Sequence, residues 1–329
     1  MKVDIEFNSA GHVPSPGILE AAQIAEEKGF GAIWKGESNS RDPVVILSSI
    51  AARTSRIELG TAVYHIFART PVTTGYLAAT LNELSRGRFI LGLGCANPAL
   101  ASWHGTTYDK PVGRMREYID IVRKVCAGAK MESQGKYFSS HGFKLSFPTE
   151  QPLRVFMAAL GPQMTHLAGQ IADGVITNMA NPDQVAAIAA SVREGAVEVG
   201  RDPSALEVVV KVRCAVNGDL ATARTALKNI ATFYSLADGY KQMLAERMGL
   251  AKEIQAINET WKAKGFKEAT RQVTDEMLAR VPMIPATSTA QVKEGLKPYF
   301  AAGATRVIVP YVPSGPRPIE ETLEFVRSW

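Results

Sequence analysis

Short β-branched runs alternate with amphipathic stretches along the whole chain, and this alternation constrains the fold more than any other feature. The runs predict eight strands, at 2–8, 31–35, 56–63, 89–94, 153–158, 173–177, 206–213 and 305–310. The stretches between and after them predict helices, at 16–28, 43–54, 71–86, 112–127, 162–172, 182–199, 288–302 and 317–328. Several strands are apolar on both faces, which is typical of parallel strands covered by helices. The pattern therefore predicts an α/β fold, a (β/α)8 TIM barrel.

The chain is longer than eight strand–helix units require. A (β/α)8 barrel typically has about 250 residues, whereas this chain has 329. We assign the surplus to two insertions within a single domain that spans 1–329. One insertion lies near 128–152 and is rich in Gly, Ser, Lys and Phe, and the other lies near 233–285 and has the pattern of additional helices.

Composition and charge exclude several classes of protein. Lys and Arg number 37 against 32 Asp and Glu, without a basic block, which disfavours a nucleic-acid partner and leaves a small anionic ligand open. The three cysteines form no CxxC motif, which disfavours a disulfide framework and a structural zinc site. No apolar stretch reaches 18 residues and the N-terminus lacks a signal-peptide core, so we expect no membrane partner and a cytoplasmic location.

Common catalytic motifs of other α/β enzymes are missing. Gly92-Leu93-Gly94 follows a strand, as in a dinucleotide-binding fingerprint, but the third glycine and the later acidic residue are absent. No G-x-S-x-G motif occurs, and the five histidines lack the spacing of metal ligands. We therefore expect neither a Rossmann site nor a bound metal ion.

The segment Leu160-Gly161-Pro162-Gln163-Met164 joins a predicted strand to a predicted helix. Gly161 permits close approach of the backbone, and Pro162 suits the first helical position, so that the next amide groups point out of the helix N-terminus. This arrangement is typical of a phosphate site. An ordinary strand–helix turn has the same Gly-Pro sequence, and the residues alone leave both interpretations open.

Acidic residues lie on or just after the first two predicted strands. Glu6 faces away from the apolar side of the first strand. A carboxylate inside a barrel needs a partner or a function, so Glu6 is either an acid of the site or half of a buried ion pair with a basic residue such as Lys211 or Arg213. Glu37 follows the second strand, and Asp42 is predicted to cap the next helix.

Longer runs of the chain resemble a known family. Leu59-Gly60-Thr61-Ala62-Val63, Ala79-Thr80-Leu81-Asn82-Glu83-Leu84-Ser85 and Gly87-Arg88-Phe89-Ile90-Leu91-Gly92-Leu93-Gly94 resemble the bacterial-luciferase-like superfamily of flavin- and deazaflavin-dependent oxidoreductases. Gly161-Pro162 and Ile171-Ala172-Asp173-Gly174-Val175 are most similar to the branch that uses coenzyme F420, which includes the methylenetetrahydromethanopterin reductases. The resemblance covers nearly the whole chain and implies a (β/α)8 barrel with insertions that forms a homodimer or higher homo-oligomer.

The resemblance also implies where the cofactor binds. It places a non-proline cis peptide between Ala62 and Val63, behind the cofactor ring. It places the cofactor phosphate at the loop that precedes the predicted helix at 162–172. The implied cofactor-binding residues are Ala62, Val63, Gly94, Cys95, Ala96, Asn97, Ala159, Leu160, Gly161, Pro162, Gln163 and Met164. We predict Glu6 and Glu37 as the catalytic residues, with Glu6 donating a proton or stabilising charge. The reductases usually have Thr-Asp-His where this chain has Lys35-Gly36-Glu37, so the substrate does not follow from the resemblance.

We interpret the chain as a coenzyme F420-dependent oxidoreductase that transfers a hydride between the deazaflavin and a small organic substrate. A methylenetetrahydromethanopterin-like pterin is one candidate substrate, and a ketone, an alcohol or an unsaturated compound is another. An FMN-dependent monooxygenase is the first alternative. A barrel that binds cofactor without catalysis is the second.

Overall fold

The computed structural model describes residues 1–7, 13–147 and 149–329, so Asn8 of the first predicted strand and His12 lie outside the described residues. The strands are β1 (Lys2–Glu6), β2 (Ala32–Lys35), β3 (Glu58–Thr61), β4 (Tyr64–His65), β5 (Phe89–Gly94), β6 (Glu132–Gln134), β7 (Ser139–His141), β8 (Arg154–Ala158), β9 (Gly174–Asn178), β10 (Glu207–Lys211), β11 (Arg213–Val216), β12 (Met283–Ala286) and β13 (Arg306–Pro310).

The helices are α1 (Ser15–Glu27), α2 (Pro43–Ala51), α3 (Pro71–Leu84), α4 (Pro98–Trp103), α5 (Pro111–Cys126), α6 (Pro162–Ile171), α7 (Pro182–Glu198), α8 (Leu220–Leu236), α9 (Tyr240–Arg247), α10 (Ala251–Lys264), α11 (Phe266–Thr270), α12 (Asp275–Arg280), α13 (Thr289–Ala301) and α14 (Pro318–Arg327), with a 3-10 turn at Pro203–Ala205. Many of them begin with proline, whose fixed φ suits the first helical position. The eight helices predicted from the sequence are all present.

The predicted barrel is confirmed. Its strands run in the order β3-β2-β1-β13-β10-β9-β8-β5, every pair is parallel, and the pairing of β3 with β5 closes the sheet. The predicted strand at 56–63 corresponds to β3, which ends at Thr61, and the Ala62–Val63 peptide that separates β3 from β4 is cis, as the resemblance implied. The predicted strand at 206–213 ends at Lys211, because Arg213 starts β11, which pairs with β12 outside the barrel.

The additional elements lie in two places. The antiparallel pair β6–β7 falls inside the predicted 128–152 insertion. Between β10 and α13 the chain adds β11, the helices α8 to α12 and β12, so this region starts before the predicted boundary at 233. The helices share a core of their own, in which Leu244, Ile257 and Met277 are buried.

The barrel interior is apolar in its middle and charged at the end where the strands begin. Trp34, Phe156 and Ile308 belong to the central cluster. Below them, the fully buried Arg306 lies with its Nε 2.8 Å from Asp4 Oδ2. The desolvated Asp4 has its pKa raised to about 6, although Arg306 opposes the shift. Buried charges need such partners, so this ion network substitutes for apolar packing at the floor of the barrel.

Two glycines bring α6 and α7 into close contact. A Cβ added to Gly169 on α6 would lie 2.0 Å from Val192 O, and a Cβ added to Gly195 on α7 would lie 2.2 Å from His166 O. Real Cβ atoms do not approach a carbonyl oxygen so closely, so both positions require glycine at this helix spacing. The contact sets the position of α6, which follows the predicted phosphate loop.

No helix in the described ranges combines the length and hydropathy needed to cross a bilayer. Within the same ranges, His, Cys, Asp and Glu side chains form no group of three or more suited to a metal ion.

Candidate active site

A cavity of about 290 Å³ opens at the carboxyl ends of the barrel strands. Active sites of TIM barrels lie at this face. Nine of the twelve predicted cofactor-binding residues line it: Ala62, Val63, Gly94, Cys95, Ala96, Ala159, Leu160, Gly161 and Met164. The remaining lining residues are Tyr108, Ala158, Ile176, Asn178, Lys211 and Tyr240. The structure therefore brings residues from 62 to 164 in sequence into one site.

The wall formed by β3, β4 and β5 is built from small residues. A Cβ on Gly94 would lie 2.3 Å from Val63 Cγ2, and a Cβ on Gly92 would lie 1.9 Å from Thr61 O. Both glycines are therefore required by packing within the protein. The resulting surface of Ala62, Val63 and Gly94 has no bulky side chain and suits the face of a planar ring.

Cys95 and Asn97 follow this wall in the sequence, and their side chains have different roles. Burial raises the pKa of the Cys95 thiol to about 12, so the thiol stays protonated and is a poor nucleophile. Asn97 caps α4, where its side chain accepts a hydrogen bond from Leu100 N at 2.9 Å. Its predicted contact with the cofactor stays a prediction, since its side chain already has this structural role.

The loop before α6 has room for a ligand. Gly161 has φ −93°, which any residue adopts, and an added Cβ would meet only Arg247 Nη2, at 3.9 Å. Neither backbone conformation nor packing within the protein therefore explains the glycine. Arg247, from α9, donates a hydrogen bond to Leu160 O beside the loop. A cation, a helix N-terminus and an open space together fit a phosphate group.

The other two predicted residues of this loop, Pro162 and Gln163, do not line the barrel cavity. Pro162 is the first residue of α6 and lines a neighbouring cavity instead. Gln163 is exposed. Its side chain lies outside the lining of the barrel cavity, so only its backbone position at the helix N-terminus supports the predicted role.

Glu6 forms the buried ion pair that the sequence left open as an alternative. Its Oε1 lies 2.9 Å from Lys211 Nζ, and the same ammonium donates to Ala62 O at 2.6 Å. The Glu6 side chain is 1% exposed, whereas Lys211 lines the cavity. The hydrogen bond of Glu6 therefore links it to the cavity through Lys211. Burial also lowers the pKa of the neighbouring Lys35, against the opposing charge of Glu6.

Glu37 is held at the rim by other groups. Its Oε2 accepts a hydrogen bond from His65 N at 2.9 Å, and its Oε1 is paired with Arg69. Asp42 caps α2 as predicted, accepting from Val44 N at 2.8 Å. Glu37 lies outside the cavity lining, and its contacts favour a role in fixing β4 over the predicted catalytic role.

A polar network on the β9 side of the cavity was not predicted from the sequence. Asn178 Nδ2 donates to Tyr240 Oη at 2.9 Å, and Asn178 Oδ1 accepts from Arg213 Nη1 at 2.8 Å. Arg213 Nη2 in turn donates to Tyr234 Oη at 2.5 Å. Burial raises the pKa of Tyr240 to about 12, so the phenol stays neutral. Asn178 ends a barrel strand and was identifiable on that ground, whereas Tyr240 lies in an insertion with no motif.

A closed parallel barrel with a cavity of this kind at its carboxyl face is the architecture of a TIM-barrel enzyme. The sequence model of the family described as luciferase-like monooxygenase matches residues 6–306. The chain therefore belongs to the luciferase-like family and is an oxidoreductase.

Individual relatives agree with this membership. The chain is 32% identical over 284 residues to a 5,10-methylenetetrahydromethanopterin reductase of Methanolobus tindarius, covering 84% of this chain and 85% of the relative. It is 29% identical over 319 residues to the enzyme of the same name from Archaeoglobus fulgidus, covering 94% and 92%. The structure of the coenzyme F420-dependent tetrahydromethanopterin reductase from Methanopyrus kandleri has the same fold, with a TM-score of 0.86 at 24% identity over 100% of this chain and 98% of that one.

Proposed function

We propose that the protein is a coenzyme F420-dependent oxidoreductase. The observation that carries this proposal is the convergence of nine predicted cofactor-binding residues on one cavity, between the small-residue wall and the α6 N-terminus. The printed names of a further relative from Mycobacterium tuberculosis, a putative coenzyme F420-dependent oxidoreductase, and of the Methanopyrus kandleri reductase favour coenzyme F420 over FMN. When bound, coenzyme F420 supplies hydride transfer, and the protein supplies orientation and electrostatics.

The residues present fit the parts of this cofactor. Ala62, Val63 and Gly94 form a flat surface for the ring, and Gly161 and Arg247 border the space for the phosphate. Lys211 holds an ammonium group at the cavity wall, where it stabilises negative charge or supplies a proton at Nζ. Glu6 and Ala62 O fix the position of that ammonium group.

For the substrate, a methylenetetrahydromethanopterin-like pterin is the first candidate, because two relatives bear the corresponding name. A ketone, an alcohol or an unsaturated compound remains a further candidate, since Lys35-Gly36-Glu37 departs from the family motif. Turnover with a panel of these substrates separates an enzyme of this kind from a barrel that only binds the cofactor.

Calorimetric titration tests the choice of cofactor. We expect coenzyme F420 to bind at least about tenfold more tightly than FMN, since coenzyme F420 carries anionic groups beyond its phosphate and Arg247 supplies a cation beside the loop. Tighter binding of FMN would contradict the proposal and favour the luciferase-like monooxygenase alternative.

A second measurement tests the phosphate loop. Gly161→Val is expected to weaken cofactor binding by about tenfold or more, because its side chain occupies the space where a phosphate approaches the α6 N-terminus. The free energy of unfolding should change little, since the added atoms meet no packed neighbour. Gly92→Val is the contrasting variant, because its Cβ collides with Thr61 O and should destabilise the barrel. Unchanged cofactor affinity in Gly161→Val would make the loop an ordinary turn.

A further inference from the structure

Arg213 is a buried cation without an anionic partner. The residue is 6% exposed, and no carboxylate of the described residues lies within ion-pair distance of its guanidinium group. The buried cations Lys211 and Arg306, in contrast, are paired with Glu6 and Asp4. Burial of an unpaired charge is costly. Stability alone therefore explains Arg213 poorly.

The guanidinium group of Arg213 fixes the orientation of the Asn178 amide. Arg213 has only donors, so the Asn178 atom that lies 2.8 Å from its Nη1 is the acceptor Oδ1. Asn178 Nδ2 therefore faces the other way and donates to Tyr240 Oη at 2.9 Å. The proton of the Tyr240 hydroxyl group has no acceptor of its own among the described residues. Burial raises the pKa of Tyr240 to about 12, so this proton stays in place at neutral pH.

Lys211 provides a second available donor in the same cavity. Its ammonium group has three protons, of which two are donated to Glu6 Oε1 and Ala62 O. The third has no acceptor within the described part of the chain. Tyr240 and Lys211 both border the barrel cavity, and no carboxylate belongs to its described lining. The cavity therefore matches a ligand atom that accepts hydrogen bonds.

We propose that Tyr240 is a catalytic residue that donates a hydrogen bond to the reacting substrate atom, and that Arg213 is its positioning residue, acting through Asn178. The inference rests on the proposed function. Addition of a hydride to the carbon of a C=O or C=N group forms a C–H bond and moves the π electron pair onto oxygen or nitrogen. Tyr240 and Lys211 stabilise the electron density gained by that atom. Arg213 polarises the hydrogen-bond chain and so makes Tyr240 a stronger donor.

A consequence for the substrate follows from this polarity. An isolated C=C bond offers no atom that accepts these hydrogen bonds, whereas a carbonyl or C=N group does. The site should therefore favour substrates in which a heteroatom belongs to the reacting double bond.

Two probes of nearly equal shape test the contact of Tyr240. Cyclohexanone has an acceptor oxygen and methylenecyclohexane has none, and the binding of each to the protein with oxidised coenzyme F420 is followed by deazaflavin fluorescence. Tyr240→Phe keeps the aromatic ring and should weaken cyclohexanone binding by about fivefold without changing methylenecyclohexane binding. Affinity for coenzyme F420 should stay unchanged, which separates a substrate contact from a cofactor contact. Tyr299→Phe is the control, because it removes the hydroxyl of a buried tyrosine on α13 outside the cavity lining, and it should alter none of these affinities.

Turnover of methylenetetrahydromethanopterin with reduced coenzyme F420 tests the role of Arg213. Tyr240→Phe should lower kcat by about 100-fold. Arg213→Met should lower kcat similarly, and the double variant should be no slower than Tyr240→Phe, because Arg213 acts through Tyr240. The Tyr240→Phe measurements remain decisive even if Arg213→Met does not fold.

Three results would overturn the inference: no binding of cyclohexanone by the wild-type protein, equal effects of Tyr240→Phe on both probes, or additive losses of kcat in the double variant. Failure of the wild-type protein to bind coenzyme F420 would instead contradict the proposed function.

Discussion

Replacing Glu6 with glutamine is expected to lower turnover by about 100-fold or more while cofactor affinity stays nearly unchanged. Glu6 lies 2.9 Å from Lys211 Nζ, and Lys211 is the cationic group at the wall of the proposed ring site. Hydride transfer creates negative charge or a basic atom on the acceptor, which a fixed ammonium group stabilises or protonates. Glutamine keeps the size of Glu6 but removes the charge that holds this ammonium group. Steady-state kinetics and calorimetric titration of the cofactor provide the two measurements.

Variants of the same ion pair and of the same strand distinguish catalysis from stability. Lys211→Met should reduce turnover at least as much as Glu6→Gln, because it removes the group that faces the cavity. Asp4→Asn is the matched control, a buried acid on β1 at the opposite end of the barrel, and should lower stability without a specific kinetic defect. The pH profile of turnover should shift in Glu6→Gln and not in Asp4→Asn. Wild-type turnover in Glu6→Gln would remove Glu6 from the mechanism.

Arg306→Met is expected to lower the free energy of unfolding by about 3–5 kcal/mol, the scale for removing one partner of a buried ion network. Arg306 Nη2 lies 2.5 Å from Glu58 Oε2, and Nε lies 2.8 Å from Asp4 Oδ2. Without the guanidinium group, the buried Asp4 carboxylate retains no cation at this distance among the described residues. Chemical denaturation followed by circular dichroism measures the loss.

A surface variant and a double variant test whether the loss of the buried ion network causes the destabilisation. Arg327 pairs with Glu20 at 2.9 Å on the exposed surface, so Arg327→Met should cost less than about 1 kcal/mol. Adding Asp4→Asn to Arg306→Met should recover part of the lost stability, since it removes an uncompensated charge. A loss below about 1 kcal/mol in Arg306→Met would show that the barrel floor does not depend on this network.

The sequence predicted the barrel because strand and helix periodicities are local and repeat along the chain. The strand–helix junction at Gly161-Pro162 was predicted for the same reason, whereas its proposed role in binding the cofactor follows only from the resemblance. The pairing of Glu6 with Lys211 joins residues 205 positions apart. The local sequence pattern indicated Lys211 only as one of several possible partners of Glu6. Closure of the barrel determines which of them forms the ion pair.

The parts of the site that sequence reasoning missed come from the second insertion. Tyr240 and Arg247 reach the barrel mouth from α9, whose orientation depends on the separate core packed around Leu244. Helix periodicity predicts that such helices exist but not which face meets the barrel. Sequence reasoning also could not separate two roles for Asn97. An Asn before Pro98 is as typical of a helix N-cap as of a cofactor contact, and in the structure it caps α4.

The glycine contact between α6 and α7 makes the proposed site preorganised. Because Gly169 and Gly195 leave no clearance between the helices, α6 cannot slide or rotate without a backbone collision. Its N-terminal amide groups therefore keep one direction before a ligand arrives, and binding loses little conformational entropy at this point.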